Sequence, residues 1–172
     1  MDELKGETCP MCREKTLTLR EQETEVPYFG KVAIFSMDCS SCGFKKSDVE
    51  ILVKKEPCRY TLEISSLDDL KIRVVKSSEA TIKWPDLKIT VEPGINAEGY
   101  VANIERMLDD ILKVLEFNKE GEEDAAKRKK IRKMVDKVLD VKEGKDKMKL
   151  ILEDPFGNSA IISDKAKKEK LK

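Results

Sequence analysis

The sequence predicts a mainly β chain with an α-helical insertion, and three observations carry that expectation. Four of the five cysteines form two Cys-x-x-Cys pairs, Cys9/Cys12 and Cys39/Cys42, near the start of the chain. Apolar and polar residues alternate with a period of two through most of the remainder, the mark of strands with one buried face. Between about residues 98 and 139 the apolar spacing changes to three and four, the mark of amphipathic helices. The expected organisation is a four-cysteine metal ribbon over 1–57 and a second β domain over 58–163. That domain carries a helical hairpin at about 98–139, and a lysine-rich tail follows over 164–172.

The pairs read Cys9-Pro-Met-Cys12 and Cys39-Ser-Ser-Cys42-Gly43, with 26 residues between them. A Cys-x-x-Cys turn aims two thiolates at one ion, and a second turn completes a tetrahedron. Zn2+ is the expected cofactor, as one structural ion held by Cys9, Cys12, Cys39 and Cys42. Iron in a rubredoxin-like site uses the same four thiolates. A glutaredoxin-like reading of Cys-Pro-Met-Cys needs a helix starting at the first cysteine. Here an alternating stretch follows instead: Leu17 and Leu19, then Val32, Ile34 and Ser36, then Val49, Ile51 and Val53. Gly43 suits a knuckle that turns sharply; Arg13 stands at the matching position of the first knuckle. Cys58, the odd cysteine, reads as a small buried hydrophobe.

The second domain begins with three alternating runs, Tyr60/Leu62/Ile64, Leu70/Ile72/Val74 and Leu87/Ile89/Val91. Turns separate them at Ser65-Ser66, Ser77-Ser78 and Trp84-Pro85-Asp86, and Pro93-Gly94 ends the series. Ile104, Met107, Leu108, Ile111, Leu112 and Leu115 place a helix over about 98–117, stopped by Asn118 to Gly121. A second helix is expected over 122–139, its early acids Glu122, Glu123 and Asp124 complementing the helix dipole. Met148, Leu150 and Leu152 restore the strand period. Asp154-Pro155-Phe156-Gly157 fits a type I turn with glycine at positive φ, and Ala160–Ser163 is the expected returning strand. The tail from Asp164 is expected to fray.

Composition narrows the function. Lys and Arg number 34 and Asp and Glu 34, so there is no basic excess for general nucleic-acid or membrane binding. Histidine is absent, which removes Ser-His-Asp and Cys-His catalysis and every histidine ligand. The start shows no apolar signal core, and the longest apolar run, Val32-Ala33-Ile34-Phe35, is too short to cross a bilayer. A cytoplasmic location is expected, where thiols stay reduced and bind metal. Charged residues make up 40% of the chain while Asn and Gln number only five, a balance similar to that of proteins from hot environments. Lys127–Lys133 holds six basic residues in seven, read as a solvated helix face or as a phosphate-binding patch. Asp68-Asp69 and Asp109-Asp110 read as surface charges. No nucleophile–base pair and no phosphate-cradling loop is visible, so no enzyme is expected.

Beyond the cysteines stand Val26-Pro27-Tyr28-Phe29-Gly30, Gly43-Phe44, Lys76-Ser77-Ser78, Glu92-Pro93-Gly94, Glu98-Gly99-Tyr100 and Asp154-Pro155-Phe156-Gly157-Asn158-Ser159. This ordered set, over roughly residues 7–163, resembles the ZPR-type zinc-finger family. The resemblance implies a zinc finger followed by a double-stranded β-helix-like domain with an inserted helical hairpin. Eukaryotic members carry two such modules, bind translation elongation factor 1-alpha and assist its folding; they are also linked to growth-factor receptor kinases. This chain holds one module and resembles the single-module archaeal members, which takes the receptor role out of consideration.

The expected function is therefore a zinc-dependent protein-interaction module, a binding partner or folding chaperone of elongation factor 1-alpha. A ribosome- or nucleic-acid-binding zinc ribbon, using Lys127–Lys133 and the tail, is the alternative. Val26, Tyr28 and Phe29 are candidate partner contacts, because an aromatic pair in a finger loop can anchor a partner. Phe156 at its turn is a second candidate. For each, packing within the protein is the competing role.

Overall fold

The computed structural model describes residues 2–26, 30–51, 55–95 and 97–171. The chain divides into two compact units, residues 1–54 and 55–172. Mainly β architecture with a two-helix insertion is what the sequence predicts, and it is what the structure has.

The first unit is a four-stranded antiparallel sheet in sequential order: β1 (Asp2–Glu7), β2 (Leu17–Val26), β3 (Gly30–Cys39) and β4 (Lys45–Ile51). β2 and β3 form a long hairpin in continuous register from Leu17↔Cys39 to Val26↔Gly30. β1 has no apolar alternation in sequence, and every residue of it is exposed. It is held by pairing to β2 and by Arg20, which bridges Glu3 of β1 and Asp38 of β3. Tyr28 and Phe29 lie outside the described residues; Val26 is the last residue of β2.

The second unit has two sheets. One holds five strands in the order β12-β5-β10-β7-β8: β5 (Cys58–Ile64), β7 (Thr81–Trp84), β8 (Ile89–Val91), β10 (Met148–Asp154) and β12 (Lys167–Lys170). The other holds three in the order β11-β6-β9: β6 (Arg73–Lys76), β9 (Tyr100–Asn103) and β11 (Ala160–Ile162). α1 (Ile104–Gly121) and α2 (Ala125–Lys142) are inserted between β9 and β10. One apolar core joins both sheets and the helices: Leu62, Ile64, Trp84, Leu150 and Leu152, then Val74 and Ile161, then Ile104, Leu108 and Val138. Alternation is visible in β10, where Met148, Leu150, Leu152 and Asp154 are buried.

Several expectations need correction. α1 starts at Ile104 because Asn103 caps it, its side chain accepting from the Arg106 amide at 2.9 Å; residues 100–103 instead pair with β6. α2 starts at Ala125, capped by Asp124, and runs to Lys142, so the early acids precede the helix. Leu70 and Leu87 lie in 3-10 turns (Leu67–Lys71 and Pro85–Leu87), not in strands. Each points one apolar side chain at the core, which imitates strand alternation over a short window. β7 went unrecognised between two turn signals. The Asp154–Gly157 turn forms, with Gly157 at φ 66°. A Cβ on Gly157 would lie 2.2 Å from the Glu56 carbonyl oxygen. Yet β11 does not return along β10; it crosses to pair with β6. The tail does not fray: β12 pairs with β5 from Lys167↔Thr61 to Lys170↔Cys58.

Candidate metal centre

The site is built by two turns of identical wiring. In the first, Cys9 N–H donates to the Glu14 carbonyl at 2.9 Å and Arg13 N–H to the Cys9 carbonyl at 2.9 Å. Thirty positions on, Cys39 N–H donates to Phe44 at 2.8 Å and Gly43 N–H to Cys39 at 3.0 Å. Both turns close through a left-handed residue, Arg13 at φ 64° and Gly43 at φ 73°. Glycine takes that conformation freely, whereas arginine pays a steric cost. The sequence signal at Gly43 was therefore a true one, and Arg13 adopts the same geometry without the favoured residue.

The register of β2 on β3 sets Leu17 opposite Cys39, bringing the two turns together. The sulfurs of Cys9 and Cys42 lie 3.7 Å apart, as do those of Cys12 and Cys39. All four lie within 4.8 Å of one another, a group placed to hold one metal ion. A tetrahedron with metal–sulfur bonds of about 2.3 Å sets its sulfurs about 3.8 Å apart, so the donor set fits zinc. Cys9 and Cys39 are buried, Cys12 is half-buried and Cys42 is exposed. Leu17, with Leu19, Met37 and Phe44 against it, forms a small apolar surround.

The chemistry around the sulfurs favours a cation. The Thr16 hydroxyl, 3.2 Å from Cys39 Sγ, and then the Cys42 amide lower the Cys39 thiol to about 6. At Cys42 the Phe44 amide favours the thiolate, but desolvation and the neighbouring Cys39, Cys12 and Cys9 sulfurs push it up to about 12. Four thiols so close cannot all ionise alone; a divalent cation resolves that conflict and releases protons as it binds. Thr16 is a supporting residue that the cysteine spacing did not reveal.

Elsewhere the described residues include two buried carboxylates. Asp154 accepts from Ser77 Oγ (2.7 Å), Ser159 Oγ (2.5 Å), Phe156 N (2.7 Å) and Asn158 N (3.0 Å). This ties the Lys76-Ser77-Ser78 motif to the Asp154–Ser159 motif and makes Asp154 an internal fastener. Asp69, expected on the surface, is 2% exposed. It accepts from Ser65 N, Ser66 N and Lys165 Nζ. The Ser66-x-x-Asp69 spacing of a capping box was the available signal. Asp109 and Asp110 are surface groups paired with Lys142, and with Arg106 and Lys113. Cys58 is buried, its thiol pushed up by desolvation. Phe156 is half-buried.

Comparison with known proteins supplies the context. A model described as the ZPR1 zinc-finger domain matches residues 3–54, and one described as the ZPR1 jelly-roll domain matches residues 68–172. This chain belongs to the ZPR1 family. An uncharacterized ZPR1-like protein of Methanocaldococcus jannaschii is 38% identical over 98% of this chain and 86% of its own length. A second, from Pyrococcus horikoshii, is 39% identical over 99% of this chain and 78% of its own. The zinc finger chaperone zpr1 of Schizosaccharomyces pombe is 29% identical over 88% of this chain, which spans only 34% of that protein. The ZPR1 resemblance, the zinc-finger-plus-jelly-roll architecture and zinc as cofactor thus stand on both sequence and structure.

Proposed function

We propose that this chain is a zinc-dependent protein-binding module whose client resembles translation elongation factor 1-alpha, and that it acts on that client as a chaperone. The observation that carries the reading is the convergence of four thiol sulfurs within 4.8 Å inside a ZPR1 zinc-finger domain. Cys9, Cys12, Cys39 and Cys42 form the complete ligand set. With four thiolates bound, zinc keeps no vacant position for a substrate, so its role is to hold the ribbon in shape. The chaperone name of the fission-yeast relative supports the binding role, and the absence of histidine removes histidine-dependent catalysis. Reduced, metal-binding thiols suit the cytoplasm. Among the described residues no helix is long and apolar enough to cross a membrane.

Val26, Tyr28 and Phe29, at the end of β2 and in the segment before β3, are the proposed anchors, with Phe156 as a second contact. The test is size-exclusion co-elution of the zinc-loaded chain with the source organism's own elongation factor 1-alpha, nascent or folded. Complex formation at micromolar concentration, weakened at least tenfold by Tyr28→Ala with Phe29→Ala, is expected. Absence of a complex with either form contradicts the reading.

One observation favours a nucleic-acid role as the second reading. Lys127, Lys129, Lys130, Arg132 and Lys133 of α2 are exposed and have no ion pair among the described residues. That role requires RNA binding whose affinity falls steeply with salt; a flat response dismisses it.

A further inference from the structure

β12, like β1 in the first unit, is attached to its sheet by backbone pairing and exposed charged side chains. All four of its residues, Lys167–Lys170, are exposed, so the strand buries no apolar face of its own. Its backbone pairs with β5, and Leu171 N–H donates to the Pro57 carbonyl at 3.1 Å. Its side chains meet a row of complementary groups. Lys165 Nζ reaches the Asp69 carboxylate at 2.6 Å. Lys168 Nζ stands 5.6 Å over the centre of the Tyr60 ring. Glu169 lies opposite Arg59 in register only, since Arg59 pairs with Glu153 of β10 at 2.7 Å, and Lys170 reaches Glu56 at 3.5 Å. The last pair is open to solvent on both sides and contributes little. Only Lys165–Asp69 is shielded, the Asp69 side chain being 3% exposed. The attachment is thus concentrated at the root of the strand.

We propose that β12 is a detachable edge strand latched by Lys165 and Asp69, and that the β5 edge beneath it accepts an extended, lysine-bearing segment of a client polypeptide. Strand addition supplies affinity through main-chain hydrogen bonds, and the side chains along the edge supply specificity. Asp69, Tyr60 and Glu56 each read a cation, in the order that Lys165, Lys168 and Lys170 present them. An unpaired edge invites aggregation, and a charged, weakly held strand covers it until a client arrives. The inference rests on the protein-binding reading and names a surface for it that is independent of the ribbon.

Amide hydrogen exchange of the full zinc-loaded chain and binding of a labelled peptide of residues 163–172 test it together. In the unmodified chain, amides pairing β12 with β5 should exchange at least a hundredfold faster than those pairing β5 with β10. Lys165→Gln, which leaves Asp69 in place, should speed β12 exchange at least another tenfold and leave β5–β10 exchange unchanged. It should also bind the peptide at least tenfold more tightly than the unmodified chain does, and a peptide with Lys165, Lys168 and Lys170 replaced by Glu should not bind. Equal protection of β12 and β10 in the unmodified chain overturns the proposal even where Lys165→Gln does not fold. Loss of β12 protection in Lys165→Gln without peptide binding also overturns it. Failure of the chain to bind elongation factor 1-alpha, with the exchange and peptide results as expected, removes only that client.

Discussion

At the level of single residues, the two knuckles provide an internal control. Arg13 and Gly43 share one hydrogen-bonded geometry and one left-handed conformation, but only one of them is glycine. Gly43→Ala should destabilise the ribbon by about 1 kcal/mol, and Arg13→Gly should stabilise it by up to about 1 kcal/mol. Urea unfolding of the zinc-loaded chain, followed by circular dichroism, reads both. Asp69 gives a pH prediction. Burial pushes its carboxyl up, but the Lys165 ammonium, the Ser65 amide and the Ser66 side chain outweigh this and hold it at about 2, below its ordinary 3.8. A depressed folded value means the stabilisation is complete above about pH 4 and disappears as pH falls toward 2. The stability difference between the natural chain and Asp69→Asn should therefore be constant from pH 7 to 4 and shrink below it. Trp84, the single tryptophan and buried in the second unit, reports that transition. The cysteine ligands were legible because metal coordination demands a fixed local spacing. Asp69 was legible only as a cap, from the Ser66-x-x-Asp69 spacing; its pairing with Lys165, 96 positions away, is encoded in no local pattern.

Among the elements, what was legible followed the clarity of the apolar period. α1 and α2 were recognised from several turns of periodic apolar residues, though their starts were set by the caps Asn103 and Asp124. β10 was clear from seven alternating residues. β8 and β11 fall within runs read as strands, Leu87/Ile89/Val91 and Ala160–Ser163, whereas β7 and β9, of four residues each, offer too few positions for a period to show. The pairing of β11 with β6 was beyond local reading as well, since a turn that looks like a hairpin also serves a strand that changes sheets. What redirects the chain is Asp154. Its carboxylate gathers Ser77 at the end of β6 with Ser159 before β11. Asp154→Ala should leave the Ser77 and Ser159 hydroxyls and the Asn158 amide buried without this acceptor and cost about 3–5 kcal/mol. Trp84 fluorescence in denaturant should show this as an early transition. A loss below about 1 kcal/mol would mean that the fastener is incidental.

For the whole molecule, the two units rest on different physics. The first holds its knuckles around a thiol cluster with a small apolar surround, and metal coordination supplies the missing core. The second buries a continuous apolar core of two sheets and two helices. The paired cysteines lie in the first unit and the helical periods in the second. The most direct measurement is the zinc dependence of binding to elongation factor 1-alpha. The chain should be compared fully loaded, with one zinc per chain, and after verified removal of metal, with Trp84 fluorescence confirming that the second unit stays folded. Complex formation by the zinc-loaded chain, lost on metal removal and restored on adding zinc back, is the predicted result. Equal binding with and without metal, or no binding in either state, would contradict it.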